Sequence, residues 1–333
     1  MAMQYRKIGN SGIEASVVAL GAWAIGGWMW GGTEESDALK TIQASLDQGM
    51  NFIDTAAIYG YGRSEEILGK AIKSRREQVI LATKCGLRWD LNKGDFHFHG
   101  SELGITKEKS KFEVYKYLHP DSIAVEIERS LKRLDTDYID LYQTHWQDST
   151  TPIEDTMAAL MKLKDQGKIR AIGVSNANLD HLKAYGPIDT DQERYSMLDR
   201  RMEQDGTLEY CRSNNIAVLA YSPLVHGLLT GKITPDRTFN QGDLRRENPR
   251  FCTENIQKAS LLLKKFHPLA QKYNATLSQL VIAWTFSQPG ITHVLVGART
   301  PTQALENAAA GDIILSPENI KTMDGFIDAS DVA

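Results

Sequence analysis

The sequence predicts a (β/α)8 TIM barrel with an N-terminal β-hairpin and long loops on the C-terminal face of its strands. Three observations predict it. Short apolar runs alternate with amphipathic segments from one end of the chain to the other. About eight such runs occur, each followed by a helical pattern, which is the repeat count of a closed parallel barrel. Two of the connections that follow strands are too long for plain linkers, and long loops inside compact domains usually serve function. Alternation alone also fits an open, doubly wound sheet. The 333 residues suit a single barrel domain over 1–333, with no interdomain linker and no low-complexity segment in the sequence.

The elements follow in order. The run from Tyr5 to Ile8, the turn Asn10-Ser11-Gly12 and the run from Ile13 to Ser16 predict a hairpin able to plug the bottom of a barrel. Strands are expected at 17–20, 51–54, 79–83, 138–142, 171–174, 188–191, 217–220 and 293–296, short and apolar as strands buried on both faces should be. Ala38, Leu39, Ile42 and Leu46 form a helical stripe that ends at Gly49. Gly60-x-Gly62 lacks the third glycine of a dinucleotide fingerprint and reads as a turn before a helix starting at Ser64-Glu65-Glu66. Thr151-Pro152-Ile153-Glu154 predicts a capping box with proline at the first helical position, closed by Gly167. Thr300-Pro301-Thr302-Gln303 repeats that arrangement. Ile256, Ala259, Leu263, Phe266 and Ala270 form another stripe, which Pro268 is expected to kink. The long connections are 86–121, carrying Trp89, Phe96, His97, Phe98, Tyr115 and Tyr117, and 222–254, carrying Lys232, Arg237, Arg245, Arg246 and Arg250.

Composition narrows the function. With 42% hydrophobic and 24% charged residues the chain has ample material for a core. A net charge of -4 and a pI of about 6.1 give no reason to expect nucleic acid or an anionic membrane as partner. Cys85, Cys211 and Cys252 are too few and too scattered for a disulfide framework or a zinc site, so reduced thiols and a cytoplasmic location are expected. The first nine residues are polar, and no run approaches the roughly 18 apolar residues of a membrane span. His97-Phe98-His99 has no carboxylate at ligand spacing, and no metal is expected. Oligomeric state is not legible, and a monomer fits.

Four polar residues fall at or just past the ends of consecutive strands: Asp54, Tyr59, Lys84 and His145. In a barrel that face holds the active site, so the four can converge. Hydride added to a carbonyl leaves charge on oxygen, which needs a proton donor. Tyr59 is the candidate acid; a nearby Lys84 ammonium is expected to lower its ordinary pKa of about 10. Asp54 would hold Lys84, and His145 would hydrogen-bond the substrate oxygen. Each residue alone also has a structural role open to it: a helix cap, a loop filler, an ion-pair partner. Trp23, Trp28 and Trp30, among glycines after the first strand, would wall the pocket or simply cover it.

The chain also resembles a known family. Asn51-Phe52-Ile53-Asp54-Thr55-Ala56 with Tyr59-Gly60, Ala82-Thr83-Lys84, Asp137-Tyr138-Ile139-Asp140-Leu141-Tyr142 with His145, and Lys168-Ile169-Arg170-Ala171-Ile172-Gly173-Val174-Ser175-Asn176 are similar to the motifs of the aldo-keto reductase superfamily. The match runs in order over nearly the whole chain and looks closest to the bacterial branch containing inositol-cluster and general-stress reductases. The resemblance implies NADP(H), with NAD(H) the alternative, and reversible reduction of an aldehyde, ketone or sugar. It makes Asp54, Tyr59, Lys84 and His145 the catalytic tetrad. Ser175, Asn176 and Gln192 would hold the nicotinamide carboxamide, Tyr221 would stack on its ring, and Trp23 and Asp54 would border it. Ser222, Leu224, Gly227 and Lys232 fall in the segment that would cover the pyrophosphate. Gly297, Arg299, Gln303, Glu306 and Asn307 match the adenosine end. The substrate pocket would be Trp23, Trp28, Tyr59, Trp89, His145 and Trp146. Four places depart from the family's pattern. Gln147 replaces a proline, Glu193-Arg194-Tyr195-Ser196 replaces a small-residue segment, and Gly297 and Gln303 stand where relatives carry Lys and Arg. Arg299 is then the main candidate for a 2′-phosphate. Two other classes remain in view: an NADPH-binding, redox-sensing barrel with slow turnover, and a metal-dependent isomerase, which would require a carboxylate–histidine cluster that the sequence lacks.

Overall fold

Eight parallel strands close into a barrel in the computed structural model, which describes residues 3–101, 104–106 and 112–333. A hairpin of β1 (Tyr5–Lys7) and β2 (Glu14–Ser16) comes first, paired antiparallel. The barrel strands are β3 (Val18–Gly21), β4 (Phe52–Asp54) and β5 (Ile80–Cys85), then β10 (Ile139–Thr144), β11 (Ile169–Ser175), β12 (Thr190–Arg194), β13 (Ala217–Tyr221) and β14 (Ile291–Gly297). Pairing of β5 with β10 closes the ring, which decides against the open sheet. All eight expected strands exist. The sixth moves furthest, because Gly186 at φ 72° and the Ile188 N–H to Gly186 carbonyl bond hold residue 188 in a turn before the strand begins.

The barrel is filled from below. Ile8, Ile13 and Ala15 of the hairpin pack against the inward side chains Ala19, Phe52, Ala82, Leu141, Ala171, Leu219 and Leu295, all of them buried. The hairpin is therefore the plug that its apolar residues suggested. Helices α1 (Glu35–Asp47), α2 (Arg63–Ile72), α3 (Pro120–Leu134), α4 (Ile153–Asp165), α5 (Leu179–Tyr185), α6 (Thr207–Ser213), α7 (Thr253–Lys272), α8 (Leu277–Ser287), α9 (Pro301–Ala309) and α10 (Pro317–Asp328) supply the outer layer. Their buried faces join the outward strand residues in one continuous core.

Two expectations fail for identifiable reasons, and at Pro268 the helix continues. The Thr151 hydroxyl does not cap α4; it donates to Asp148 Oδ2 at 2.7 Å, and Pro152 takes the capping position. Helix α7 runs through Pro268 over 20 residues. Pro268 lies on the exposed face, where the carbonyl it leaves unpaired meets water, while Ile256, Ala259, Leu263, Phe266 and Ala270 keep the other face buried. The connection 86–121 is not a loop. Its described residues form a second sheet of β6 (Leu87–Arg88), β7 (Asp95–Gly100), β8 (Ile105–Thr106) and β9 (Phe112–Lys116), antiparallel and ordered β6-β9-β7-β8; residues 102–103 and 107–111 lie outside the described set. This sheet packs Leu87 and Val114 onto Ala56 and Ile58, with Tyr59, Tyr61, Trp89, Phe98 and Trp146 around them.

Candidate active site

Side chains of a strand alternate in direction, so each plug residue is followed two positions later by another inward one. Moving up from Phe52, Ala82, Leu141, Ala171 and Leu219 gives Asp54, Lys84, Gln143, Gly173 and Tyr221. On β12 the inward side chain at this level is Gln192, which reaches Asp54 across the barrel. The interior thus changes from apolar to polar within one step, and polar groups from several strands are forced to meet.

Asp54 is the hub. Lys84 Nζ donates to both of its oxygens, at 2.9 and 2.7 Å, and to the Thr55 carbonyl at 2.9 Å. Gln192 Nε2 donates to Asp54 Oδ1 at 2.8 Å and Gln143 Nε2 at 3.3 Å. Lys84 Nζ also lies 3.4 Å from the Tyr59 hydroxyl. The Tyr59 and His145 rings meet edge to face, with centroids 5.8 Å apart. The structure brings all four tetrad candidates together. Asp54 and Lys84 lie inside their strands, His145 directly follows β10, and only Tyr59 comes from a loop. Gly173 makes room for this network: a Cβ there would sit 2.1 Å from Thr190 Oγ1 and 2.8 Å from Gln143 Cγ.

Burial sets the protonation states. It lowers the Lys84 pKa, against the pull of Asp54. It pushes the Tyr59 phenol well above its ordinary value, and the Asp54 charge pushes the same way. This reverses the expected lowering by Lys84, because desolvating a phenolate outweighs one ammonium that is already paired. His145 falls well below the usual histidine range through burial, then through repulsion from Lys84. The resting site therefore holds a protonated phenol and a neutral imidazole.

The amide candidates sit beside this hub. Ser175 Oγ donates to the Gln192 carbonyl at 2.8 Å. Asn176 adopts a left-handed φ of 55°, which asparagine tolerates, and spans the mouth. Its Nδ2 donates to the His145 carbonyl at 3.0 Å, and its Oδ1 accepts from the Tyr221 hydroxyl at 2.8 Å. Next to Tyr221, the inward positions at the tops of β3 and β14 are Gly21 and Gly297. A Cβ at Gly297 would have only the Gly21 carbonyl oxygen within 4 Å, at 3.8 Å. Amide groups, one aromatic face and a gap without side chains suit a flat, carboxamide-bearing ring.

Farther out, the segment with Ser222, Leu224 and Gly227 is strongly bent, with φ of 59° at Ser222, 52° at His226 and 97° at Gly227. Lys232 pairs with Glu306 at 2.5 Å, tying this segment to α9. Asn307 Nδ2 donates to the Gly297 carbonyl, and Gln303 Oε1 accepts from the Arg299 N–H. The Arg299 guanidinium donates to the Gly32 carbonyl at 3.1 Å and has no ion-pair partner among the described residues. Burial and the nearby Arg245 charge lower its pKa.

The pocket candidates divide. Trp23 stacks near Tyr59, with centroids 6.1 Å apart and planes 26° apart. Trp146 and Trp89 belong to the aromatic layer under the inserted sheet. Trp28 is 5% exposed, packs on Tyr61 and Phe98, and donates its Nε1 to the Ser101 carbonyl. It fills the seam behind Tyr61, with no ring contact to Tyr59 or His145 among the described residues. Trp30 is cover, edge-on to Trp23 and His226 and topped by the Arg245 guanidinium. Sequence reasoning missed Gln143, which the two-residue step from Leu141 would have found, and Gly21, which the step from Ala19 marks. It weighed His97 only as a metal ligand and passed over His226, which sits on no barrel strand. No cluster of three or more metal-binding side chains occurs among the described residues, and no helix there is long and apolar enough to cross a membrane.

Comparison with known proteins bears on this geometry. A profile described as the Aldo/keto reductase family matches residues 17–328. The chain is 43% identical over 307 residues to Aldo-keto reductase YhdN of Bacillus subtilis (strain 168), a match covering 90% of this chain and 86% of the relative. It is 41% identical over 325 residues to the NADH-specific methylglyoxal reductase of Escherichia coli (strain K12), covering 95% and 96%. Among solved structures, the glycerol dehydrogenase AKR11B4 from Gluconobacter oxydans superimposes with a TM-score of 0.86 at 36% identity, covering 100% of this chain and 98% of the other.

Proposed function

The chain belongs to the aldo/keto reductase family, and from that membership we propose that it reversibly reduces the carbonyl of an aldehyde, ketone or sugar, using NADP(H). One observation carries the reading: a lysine that bridges a buried carboxylate and a tyrosine hydroxyl, with a neutral histidine against the same tyrosine. The bound nicotinamide would supply the hydride. Everything else falls to this chain's side chains.

Tyr59 holds its proton at rest, since burial and Asp54 both oppose its loss. Charge that develops on the substrate oxygen shifts that balance, and the phenol proton passes to it. Lys84, kept in place by both Asp54 oxygens, then faces the new phenolate. His145, neutral for the reasons above, donates a hydrogen bond to the substrate oxygen and does not compete as an acid. In alcohol oxidation the phenolate of Tyr59 takes the hydroxyl proton. Gln192 and Gln143 use their amide donors to fix Asp54, so that the carboxylate does not turn toward Tyr59. Tyr221, Ser175, Asn176 and Gln192 would seat the nicotinamide, and Ser222, Leu224, Gly227 and Lys232 would lie along the pyrophosphate.

The choice of NADP(H) rests on Arg299, a guanidinium near Arg245 and just before α9 with no ion-pair partner among the described residues, whose position favours an added phosphate. One relative is named NADH-specific, so kcat/KM with each coenzyme tests this part separately. Methylglyoxal and glycerol, which appear in the names of two relatives, support a small oxygenated substrate. Tyr59→Phe tests the mechanism. It is expected to lose about 10²- to 10⁴-fold in kcat while fluorescence titration shows unchanged NADPH affinity. Turnover close to the unsubstituted level in that variant removes Tyr59 from the chemistry.

A further inference from the structure

Outside the four groups that meet at Tyr59, two described histidines lie close to the site without a hydrogen-bonded side chain: His226, beside Trp23, and His97, which is near enough to His145 for a charge on it to act there. His97 comes from β7 of the inserted sheet, and its ring centroid lies 5.2 Å from Trp146 and 5.0 Å from Phe98. Trp146 directly follows His145, and a charge on His97 would be felt by the His145 ring. Of the other described histidines near the sheet, His119 caps α3 and His181 closes the capping box of α5, while the buried His99 Nδ1 has no hydrogen-bond partner and lies 3.9 Å from Glu113. His97 has neither a hydrogen bond nor an ion pair among the described residues, yet its ring nitrogens are not sealed inside the protein.

The surroundings of His97 say what it would bind. Burial, then the Lys116 ammonium, brings its pKa down to about 4, so the ring is neutral at ordinary pH. Lys116 itself lies 3.5 Å from Asp95. A neutral imidazole offers one donor and one acceptor, the complement of a hydroxyl or a second carbonyl. It offers no charge to a carboxylate or phosphate.

We propose that His97 is a specificity-determining residue, hydrogen-bonding a second neutral oxygen one or two carbons from the reacting carbonyl, so that short hydroxy- and oxo-carbonyl compounds are preferred over their deoxygenated analogues. The proposal rests on the reading of Tyr59 and His145 as the carbonyl site and deepens it. The inserted sheet then recognises the flank of the substrate, while the barrel carries out the reaction.

The test compares kcat/KM for glyceraldehyde and propanal, which share a carbon skeleton, at saturating NADPH. In His97→Leu the glyceraldehyde-to-propanal ratio is expected to fall about ten-fold. His97→Gln, which keeps a donor and an acceptor, is expected to restore most of that ratio. A merely structural role would lower both substrates together and leave the ratio unmoved in both variants, which overturns the proposal; so does a ratio near one in the unsubstituted enzyme. If the unsubstituted enzyme turns over neither aldehyde, or if Tyr59→Phe stays active, the reading of the site itself fails. Normal loss of activity in Tyr59→Phe with an unmoved His97→Leu ratio sinks only the role of His97.

Discussion

Glu126 offers a quantitative test of the electrostatics at the root of the inserted sheet. Its side chain is buried on α3, where Oε2 accepts from the Gly86 N–H at 2.9 Å and Oε1 accepts from the Ser122 hydroxyl at 3.0 Å. Arg88 in turn donates to Ser122 at 2.6 Å. Burial pushes the Glu126 carboxyl up to about 7 from 4.5, with Arg88 and the two hydrogen bonds pulling the other way. Between those values the folded chain keeps a proton that the unfolded chain has released. Stability therefore falls as pH rises through this window and levels off above about 7. The interval is worth about 3 kcal/mol. Glu126→Gln keeps an acceptor for Gly86 and a polar partner for Ser122, and it cannot ionise. Urea unfolding at pH 5 and pH 8 should show wild type losing about 3 kcal/mol more than the variant over that range. Subtracting the two profiles cancels other groups, such as Glu193, also raised to about 7, and His293, lowered to about 4. Parallel profiles would refute the claim that Glu126 is held protonated.

Lys84→Met leaves the Asp54 carboxylate buried with only amide donors. Thermal and urea unfolding should show a loss of about 3 kcal/mol or more, together with a collapse of kcat, and unchanged stability would mean the pair is not desolvated. Arg299→Ala should raise KM for NADPH about ten-fold or more while moving KM for NADH by about two-fold at most. Equal effects on both coenzymes would take the guanidinium away from the 2′-phosphate.

What the sequence made legible followed from periodicity. Runs such as Ile80–Cys85 and Ile139–Thr144 are mostly apolar because both faces are buried, so the number of strands and their place along the chain could be read, while closure of the ring waited on the pairing of β5 with β10. Apolar residues at Ile8 and Ile13, on either side of a Gly-containing turn, marked the plug. The inserted sheet stayed hidden because β6 and β8 are two residues each and β7 carries two histidines among its aromatics. Such strands are stabilised by the layer beneath them, which a local reading does not contain. The failed cap at Thr151 has the same origin. Its hydroxyl is claimed by Asp148, which also accepts from the Leu118 and Thr150 N–H groups. Gln143 differs, since it lay within reach of the two-residue rule that places Asp54 and Lys84.

A single physical cause fixes every protonation state at the site. Taking a group out of water penalises its charged form, so a phenol is kept protonated and an imidazole kept neutral by the same burial. Burial lowers the Lys84 pKa as well, opposed by Asp54 at 2.7 Å, and the two groups are bonded on their remaining sides by Thr55, Gln192 and Gln143. The positive end of the ion pair, Lys84 Nζ, lies 3.4 Å from the tyrosine oxygen. A phenolate formed there is stabilised, while a phenolate formed without a charged substrate oxygen to receive its proton is not. On the proposed mechanism this would tie proton release from Tyr59 to reduction, and the floor beneath Asp54 and Lys84 offers water no entry, since Phe52 and Ala82 are completely buried.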